Sequence, residues 1–228
     1  FTNTLTLERP LVVKHVYAQT NGTFTAGANT VQVGQQATTG IGYFTLAGGV
    51  FNLPAGTNFY WRPHHTPAGS FICTGGGLFN ANGGTVDLLA NWVTHTCVIS
   101  NAVFQNLTLS GPAGTLRFGA DMTNTVLGDL RHTGVRVDKV VWLLHGDLEV
   151  SGTAGAGSSV ARFVSGEPQE IRFAPGAKAF GIAMDKPEGS TLTVVGGSCI
   201  FGGAAGAWGD TFGGLALAFR RWEKAAPR

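Results

Sequence analysis

Residues Ala102–Met122 read AVFQNLTLSGPAGTLRFGADM. Within them LTLS (Leu107–Ser110) alternates apolar and small polar side chains, the period of a strand with one buried face. SGPAG (Ser110–Gly114) has the Pro and Gly of a tight turn, and TLRF (Thr115–Phe118) is a second short strand. The beat recurs in AKAFGIAMDKPEGSTLTVVGG (Ala177–Gly197), where DKPEG is the turn and TLTV (Thr191–Val194) alternates. Phe104 aligns with Phe180 and Leu116 with Leu192, both 76 apart, and Ile99 with Ile171 at 72. A GDL triplet, Gly128–Leu130 and Gly146–Leu148, opens a further strand in each copy. The alternation predicts that Phe104, Leu107, Leu109, Leu116, Phe118, Phe180, Leu192 and Val194 point inward. Gln105, Thr108 and Arg117 point out.

The same rhythm extends along the chain, with short segments rich in Val, Thr, Leu and Phe bounded by Gly, Asn, Pro or Asp. Thr4–Val13, Thr30–Val33, Tyr43–Leu46, Thr85–Leu89, Leu148–Val150 and Arg162–Val164 all have this form. Of 228 residues 35 are Gly, about twice the usual share of about 7%, and charged residues make up only 12%. At 43% hydrophobic the chain has too much apolar surface for disorder. Glycine has no every-third period, which excludes collagen, and no apolar run reaches the length of a membrane-spanning helix. A formal charge of +2, spread without a basic stripe, argues against nucleic acid. The opening FTNTLTLERPLVV lacks the unbroken apolar stretch of a signal peptide and reads as a mature or excised chain. LALAFRRWEKAA (Leu215–Ala226) reads either as a helix, with Leu215, Phe219 and Trp222 on one side, or through its alternating start as a strand.

Runs such as F-x-A-x-G-G-T-V, F-x-N-L-T-L, P-x-G-T-L-x-F and V-x-G-D-L resemble the degenerate repeats of large bacterial surface proteins, and similar repeats occur in phage tail and fibre proteins. The resemblance covers about Phe79–Phe201 and implies a right-handed parallel β-solenoid. An all-β solenoid (β-helix) is therefore the expected fold: each turn buries its inward side chains only by stacking on its neighbours. A β-sandwich or jelly roll uses the same short strands, and is the alternative above all for the N-terminal third. The expected organisation is an N-terminal β region at 1–70, solenoid repeats at 71–213, and a C-terminal segment at 214–228 that could form a capping helix.

If one turn takes roughly 20–25 residues, Cys73 and Cys97, which are 24 apart, stack on adjacent turns. The expectation is a Cys73–Cys97 disulfide, with Cys199 unpaired, in an oxidising compartment, against the alternative that all three cysteines are reduced and buried. Thr4, Leu5, Thr6 and Leu7, with Leu11, Val12 and Val13, form an uncapped strand that is expected to add to a neighbouring copy, making the chain its own partner in a homo-oligomer or homopolymer. Tyr60 and Trp61, in YWR, are candidates for stacking on surface glycans, against the alternative that the tryptophans fill the core.

Catalytic and cofactor signals are weak. His64 and His65 are adjacent and would point to opposite sides of a strand, and no HxH, HExxH or CxxC spacing marks a metal site. Asp121, Asp129, Asp138, Asp147 and Asp185 are conceivable carboxylates of a polysaccharide lyase or hydrolase, but Asp129 and Asp147 follow Gly in the GDL turn and have a turn-forming role. No catalytic residue, cofactor or metal ligand is expected. The expected function is a non-enzymatic structural or adhesive protein of a filament, surface layer or fibre, extracellular or on a cell or virion surface. A glycan-binding module, a solenoid lyase or hydrolase, and a phage tail protein are the alternatives.

Overall fold

A computed structural model describes residues 3–35, 41–64, 68–152, 157–178 and 181–196, apart from the side chains at 82 and 121, and the backbone of 216–220. The strands follow one another around a coil. The first turn is β1 (Thr4–Thr6), β2 (Leu11–Val13) and β3 (Val16–Gln19); the second is β4 (Thr23–Thr25), β5 (Val31–Val33) and β6 (Tyr43–Leu46). The third is β7 (Val50–Asn52), β8 (Asn58–Trp61) and β9 (Ser70–Cys73). In the fourth, β10 (Leu78–Leu89) rounds a corner without a break and is followed by β11 (Thr94–Val98). The fifth joins β12 (Val103–Ser110) to the first part of β13 (Thr115–Val126), and the sixth joins the rest of β13 to β14 (Leu130–Thr133) and the start of β15 (Arg136–Leu144). The end of β15 with β16 (Leu148–Val150), then β17 (Val160–Phe163) with β18 (Gln169–Phe173), then β19 (Gly181–Met184) with β20 (Thr191–Gly196), complete the seventh to ninth turns. β21 (Ala216–Arg220) pairs on β20.

The strands pair in parallel with those one turn away, as in β1–β4–β7–β10 on a first face, β2–β5–β8–β10 on a second and β3–β6–β9–β11 on a third. The molecule is a right-handed parallel β-solenoid. Partners on the first face are 18 residues apart at Thr123 and Val141 and 28 apart at Val50 and Leu78, so the length of a turn varies.

In-register parallel pairing places like positions above one another about 4.8 Å apart. That is also a spacing at which aromatic rings can stack with an offset. Phe24, Phe51 and Phe79 form one such stack on the first face, with ring centroids 4.6 and 5.4 Å apart. Tyr17, Phe44 and Phe71 form another on the third face, at 5.1 and 4.6 Å. The two meet edge to face inside the coil, Phe44 against Phe51 at 5.3 Å. Aliphatic residues continue the core upward: Val86, Leu107, Leu130, Leu148 and Ile171 form one buried ladder on the second face. At the corners the turns approach closely. Gly49 has φ +76°, and a Cβ there would strike the Gly22 carbonyl, so both the backbone conformation and the space demand glycine.

The predicted inward set Phe104, Leu107, Leu109, Leu116, Phe118, Leu192 and Val194 is buried; Gln105 and Thr108 are half-buried and Arg117 exposed. Phe180 lies outside the described residues. Several expectations need correction. The N-terminal third is not a sandwich: β1–β9 belong to the coil, whose pairings cross the 70/71 boundary from β6 to β9, β7 to β10 and β9 to β11. Thr4–Val13 is two strands, because the corner at Glu8–Arg9–Pro10 interrupts it and proline has no N–H to give a ladder. The 76-residue offset is not the structural repeat: Leu116 lies on the third face and Leu192 on the second, and the true unit is a single turn of uneven length. A helix is absent from 216–220, where the alternating ALAFR continues the second face as a strand.

Candidate functional site

The chain has few charges, and many lie on the outer side of the second face. On these strands every second side chain points away from the core. One outward row carries Asn106, Asp129, Asp147 and Glu170, and the next carries Tyr60, Asp87, Thr108, Arg131, Glu149 and Arg172, in the registers of β8, β10, β12, β14, β16 and β18. In the first row Asn106, Asp129 and Asp147 each reach one turn up. Asn106 Oδ1 accepts the Asp129 N–H at 3.0 Å, Asp129 Oδ1 the Asp147 N–H at 3.2 Å, and Asp147 Oδ1 the Glu170 N–H at 2.8 Å. This ladder is the physical role of the GDL triplets. The glycine brings the chain round the corner and the aspartate satisfies the backbone of the next turn.

Ion pairs occupy most of the remaining charge. Arg62 Nη2 lies 2.6 Å from Asp87 Oδ2, and Asp87 Oδ1 accepts from the Ser110 hydroxyl at 2.6 Å. Arg131 pairs with Glu149 at 3.2 Å, and Arg172 with Glu170 at 2.7 Å and Asp147 at 3.2 Å. Within this array a cleft of about 130 Å³ opens among Thr85, Asn106, Leu107, Thr108, Asp129 and Arg131.

The residues nominated from the sequence fall elsewhere. Trp61 cannot stack on a ligand: its side chain is fully buried on β8, and its indole N–H donates to the Gly42 carbonyl at 2.7 Å. Tyr60, its neighbour, points outward as strand alternation requires, and the Arg62 guanidinium covers its ring at 4.9 Å from the centroid. Trp142 is core, whereas Trp92 stands 69% exposed at a corner where its φ is +59°. Trp208 and Trp222 lie outside the described residues.

Cys73 and Cys97 do lie on paired strands of adjacent turns, but both are free thiols. The register sets Phe71, not Cys73, opposite Cys97. A two-residue diagonal, at about 3.3 Å rise per residue across strands about 4.8 Å apart, separates the Cα atoms by about 8 Å. Disulfides need less than about 7 Å. The 24-residue spacing is therefore close to one turn but out of step with it, and burial pushes both thiols well above their ordinary range. Cys199 lies outside the described residues.

His95 and His132 are buried core residues. His95 Nδ1 accepts the Gly69 N–H at 2.9 Å, and burial pushes its pKa down to about 4, against a smaller opposing effect of backbone groups at Asn91 and Gly69. His132 is lowered by the same cause, with the Val135 carbonyl opposing. Among the described residues no three His, Cys, Asp or Glu side chains converge on a point that could hold a metal. His65 lies outside the described residues.

The proposed assembly segment forms the first turn. β1, β2 and β3 pair upward with β4, β5 and β6, and their other edges have no strand partner among the described residues. Leu5 sits in register with the core residue Phe24 yet is 61% exposed, because nothing described stacks beneath it. Thr4 and Thr6 are exposed, and Val12, which points outward, is 54% exposed; Leu7, Leu11 and Val13 pack against the core from below.

Comparison of the chain with protein-family models, with curated proteins and with solved structures finds no match.

Proposed function

We propose that the chain is a non-enzymatic structural or adhesive β-solenoid of a cell or virion surface, and that copies of it assemble through the open strand edges of the first turn. The observation that carries this reading is Leu5, a core-ladder residue exposed at an edge whose backbone pairs with no further strand among the described residues. Stacking a further turn there buries Leu5, Leu7, Leu11 and Val13 as the inward residues of the second and third turns are buried. The surface setting rests on the resemblance to bacterial surface and phage repeats. The free thiols withdraw the support that a disulfide would have lent it.

A lyase or hydrolase reading finds less support on the charged second face. Asp87 and Asp147 have both carboxylate oxygens engaged by hydrogen bonds or ion pairs within the protein. Glycoside hydrolysis needs a pair of carboxylates flanking one bond, and Asp129 is the one acid among the residues that line the cleft of this face.

The test is Leu5→Lys, which places a charge on the open edge without touching the upper turns. Light scattering of the unaltered chain at about 50 μM, where weak protein contacts become populated, should show oligomers. The variant should be monomeric with an unchanged melting temperature. An unaltered chain that is already monomeric at that concentration overturns the assembly reading.

A further inference from the structure

The polar groups of the second face divide into those already engaged within the protein and those that are not. Asp87 and Asp147 have partners on both oxygens. Asp129 uses Oδ1 for the Asp147 N–H, and its Oδ2 has no partner among the described residues. Asn106 uses Oδ1 for the Asp129 N–H, and its amide NH₂ has none. The hydroxyls of Thr85 and Thr108 are likewise without side-chain partners, and the Arg131 guanidinium has one ion pair, through Nε. These five groups all line the same cleft, between the fourth and sixth turns.

We propose that this cleft binds a pyranose ring of a neutral glycan. A cleft of about 130 Å³ is far above the roughly 10–15 Å³ that admits one water, and below the roughly 300–1,000 Å³ of a site for a drug-sized ligand. It takes a small, compact, polar unit. The lining offers an acceptor (Asp129 Oδ2), donors (Asn106 Nδ2 and Arg131) and two hydroxyls that both donate and accept, on strands about 4.8 Å apart. Adjacent hydroxyls of a sugar ring also donate and accept in turn, so they satisfy such a mixture, whereas a single-sign ligand does not. Phosphate, sulfate and uronate bring negative charge against Asp129, whose Oδ2 accepts no hydrogen bond within the described residues. An apolar side chain has little to bury against, because Leu107 itself is fully buried in the core.

The site differs from the Tyr60–Trp61 pair that the sequence suggests, and it is independent of assembly. A chain that polymerises but binds no sugar loses this proposal alone.

The test uses the full chain, labelled with ¹⁵N, and a panel of neutral tri- to hexasaccharides of glucose, galactose, mannose and N-acetylglucosamine, with uronate oligosaccharides as the counter-panel. At least one neutral member should shift the Asn106 side-chain and Thr108 backbone resonances. Asp129→Asn keeps the Oδ1 acceptor of the ladder and turns the free oxygen into a donor; Thr108→Val removes one hydroxyl at nearly constant shape. Each should weaken binding about tenfold, the effect of losing a hydrogen bond to a charged group or leaving a ligand hydroxyl unpaired. Their melting temperatures should not change. Arg117→Gln, on the third face, should bind as the unaltered chain does. The proposal is overturned if no neutral saccharide shifts those signals up to about 10 mM, beyond the weakest useful affinities. It is equally overturned if both cleft variants bind undiminished, or if uronates bind as well as neutral sugars.

Discussion

Replacing Phe51 by alanine removes the ring that ties the two aromatic stacks together. Phe51 is fully buried and has five aromatic neighbours: Phe24 at 4.6 Å, Tyr17 and Phe44 at 5.3 Å, Phe79 at 5.4 Å and Phe59 at 5.7 Å. A buried Phe→Ala change costs about 3–5 kcal/mol through lost transfer energy and the cavity left behind. Phe104 is equally buried but has only two ring neighbours, Phe79 at 6.1 Å and Trp142 at 6.3 Å. Each well-placed ring pair adds about 0.5–1.5 kcal/mol beyond its area. Three further and closer pairs therefore set Phe51→Ala apart by at least about 1.5 kcal/mol. The expected losses are about 5 kcal/mol for Phe51→Ala and about 3 kcal/mol for Phe104→Ala. Thr108→Ala, on the outer side of the same strand as Phe104, should cost no more than about 0.5 kcal/mol. Urea denaturation followed by far-UV circular dichroism measures all three, and the m-value shows whether the turns unfold together. In thermal scans of a chain this long, each kcal/mol corresponds to about 2–4 °C. A Phe51→Ala protein no less stable than Phe104→Ala would refute the argument that ring stacking organises the lower turns.

Acid should destabilise the fold well above the carboxylate range. His95 stays neutral in the folded chain down to about pH 4, whereas in the unfolded chain it takes a proton near 6.5, so stability present at neutral pH is lost as pH falls between those values. The full loss is about 3 kcal/mol from this residue at 1.36 kcal/mol per unit, and His132 acts in the same direction. Melting temperatures from pH 7 to 4.5 should fall, and His95→Gln with His132→Gln should flatten the slope; an unchanged slope would sink the assignment. Alkylation should find Cys73 and Cys97 both reduced after denaturation without reductant, and slow to react while folded because both thiols are held protonated by burial. A peptide crosslinked between them would show the register of β9 against β11 to be wrong.

Strand existence and inward faces were legible in the sequence because both depend on local alternation. LTLS and TLRF place Leu107, Leu109, Leu116 and Phe118 inside whatever the sheets do next. The GDL triplets were legible as turns for the same reason, since a glycine and an aspartate act on backbone within a residue or two. Which turn lies on which was not legible. The length of a turn varies between 18 and 28 residues, and no local signal reports where a loop has lengthened, so the Cys73–Cys97 match failed by two positions and the 76-residue offset crossed faces. The sequence also could not separate Trp61 from Trp92. Both are aromatic residues in glycine-poor surroundings, and only the coil puts one on an inward strand position and the other on an outer corner. The cleft was beyond reach for a further reason. Thr85, Asn106, Thr108, Asp129 and Arg131 come from three successive turns, and what distinguishes them is which hydrogen-bonding groups remain unengaged after the ladder and the ion pairs have formed. Alternation and turn chemistry decide the fold class from local sequence; register between distant strands decides which polar groups meet, and that exists only once the coil has closed.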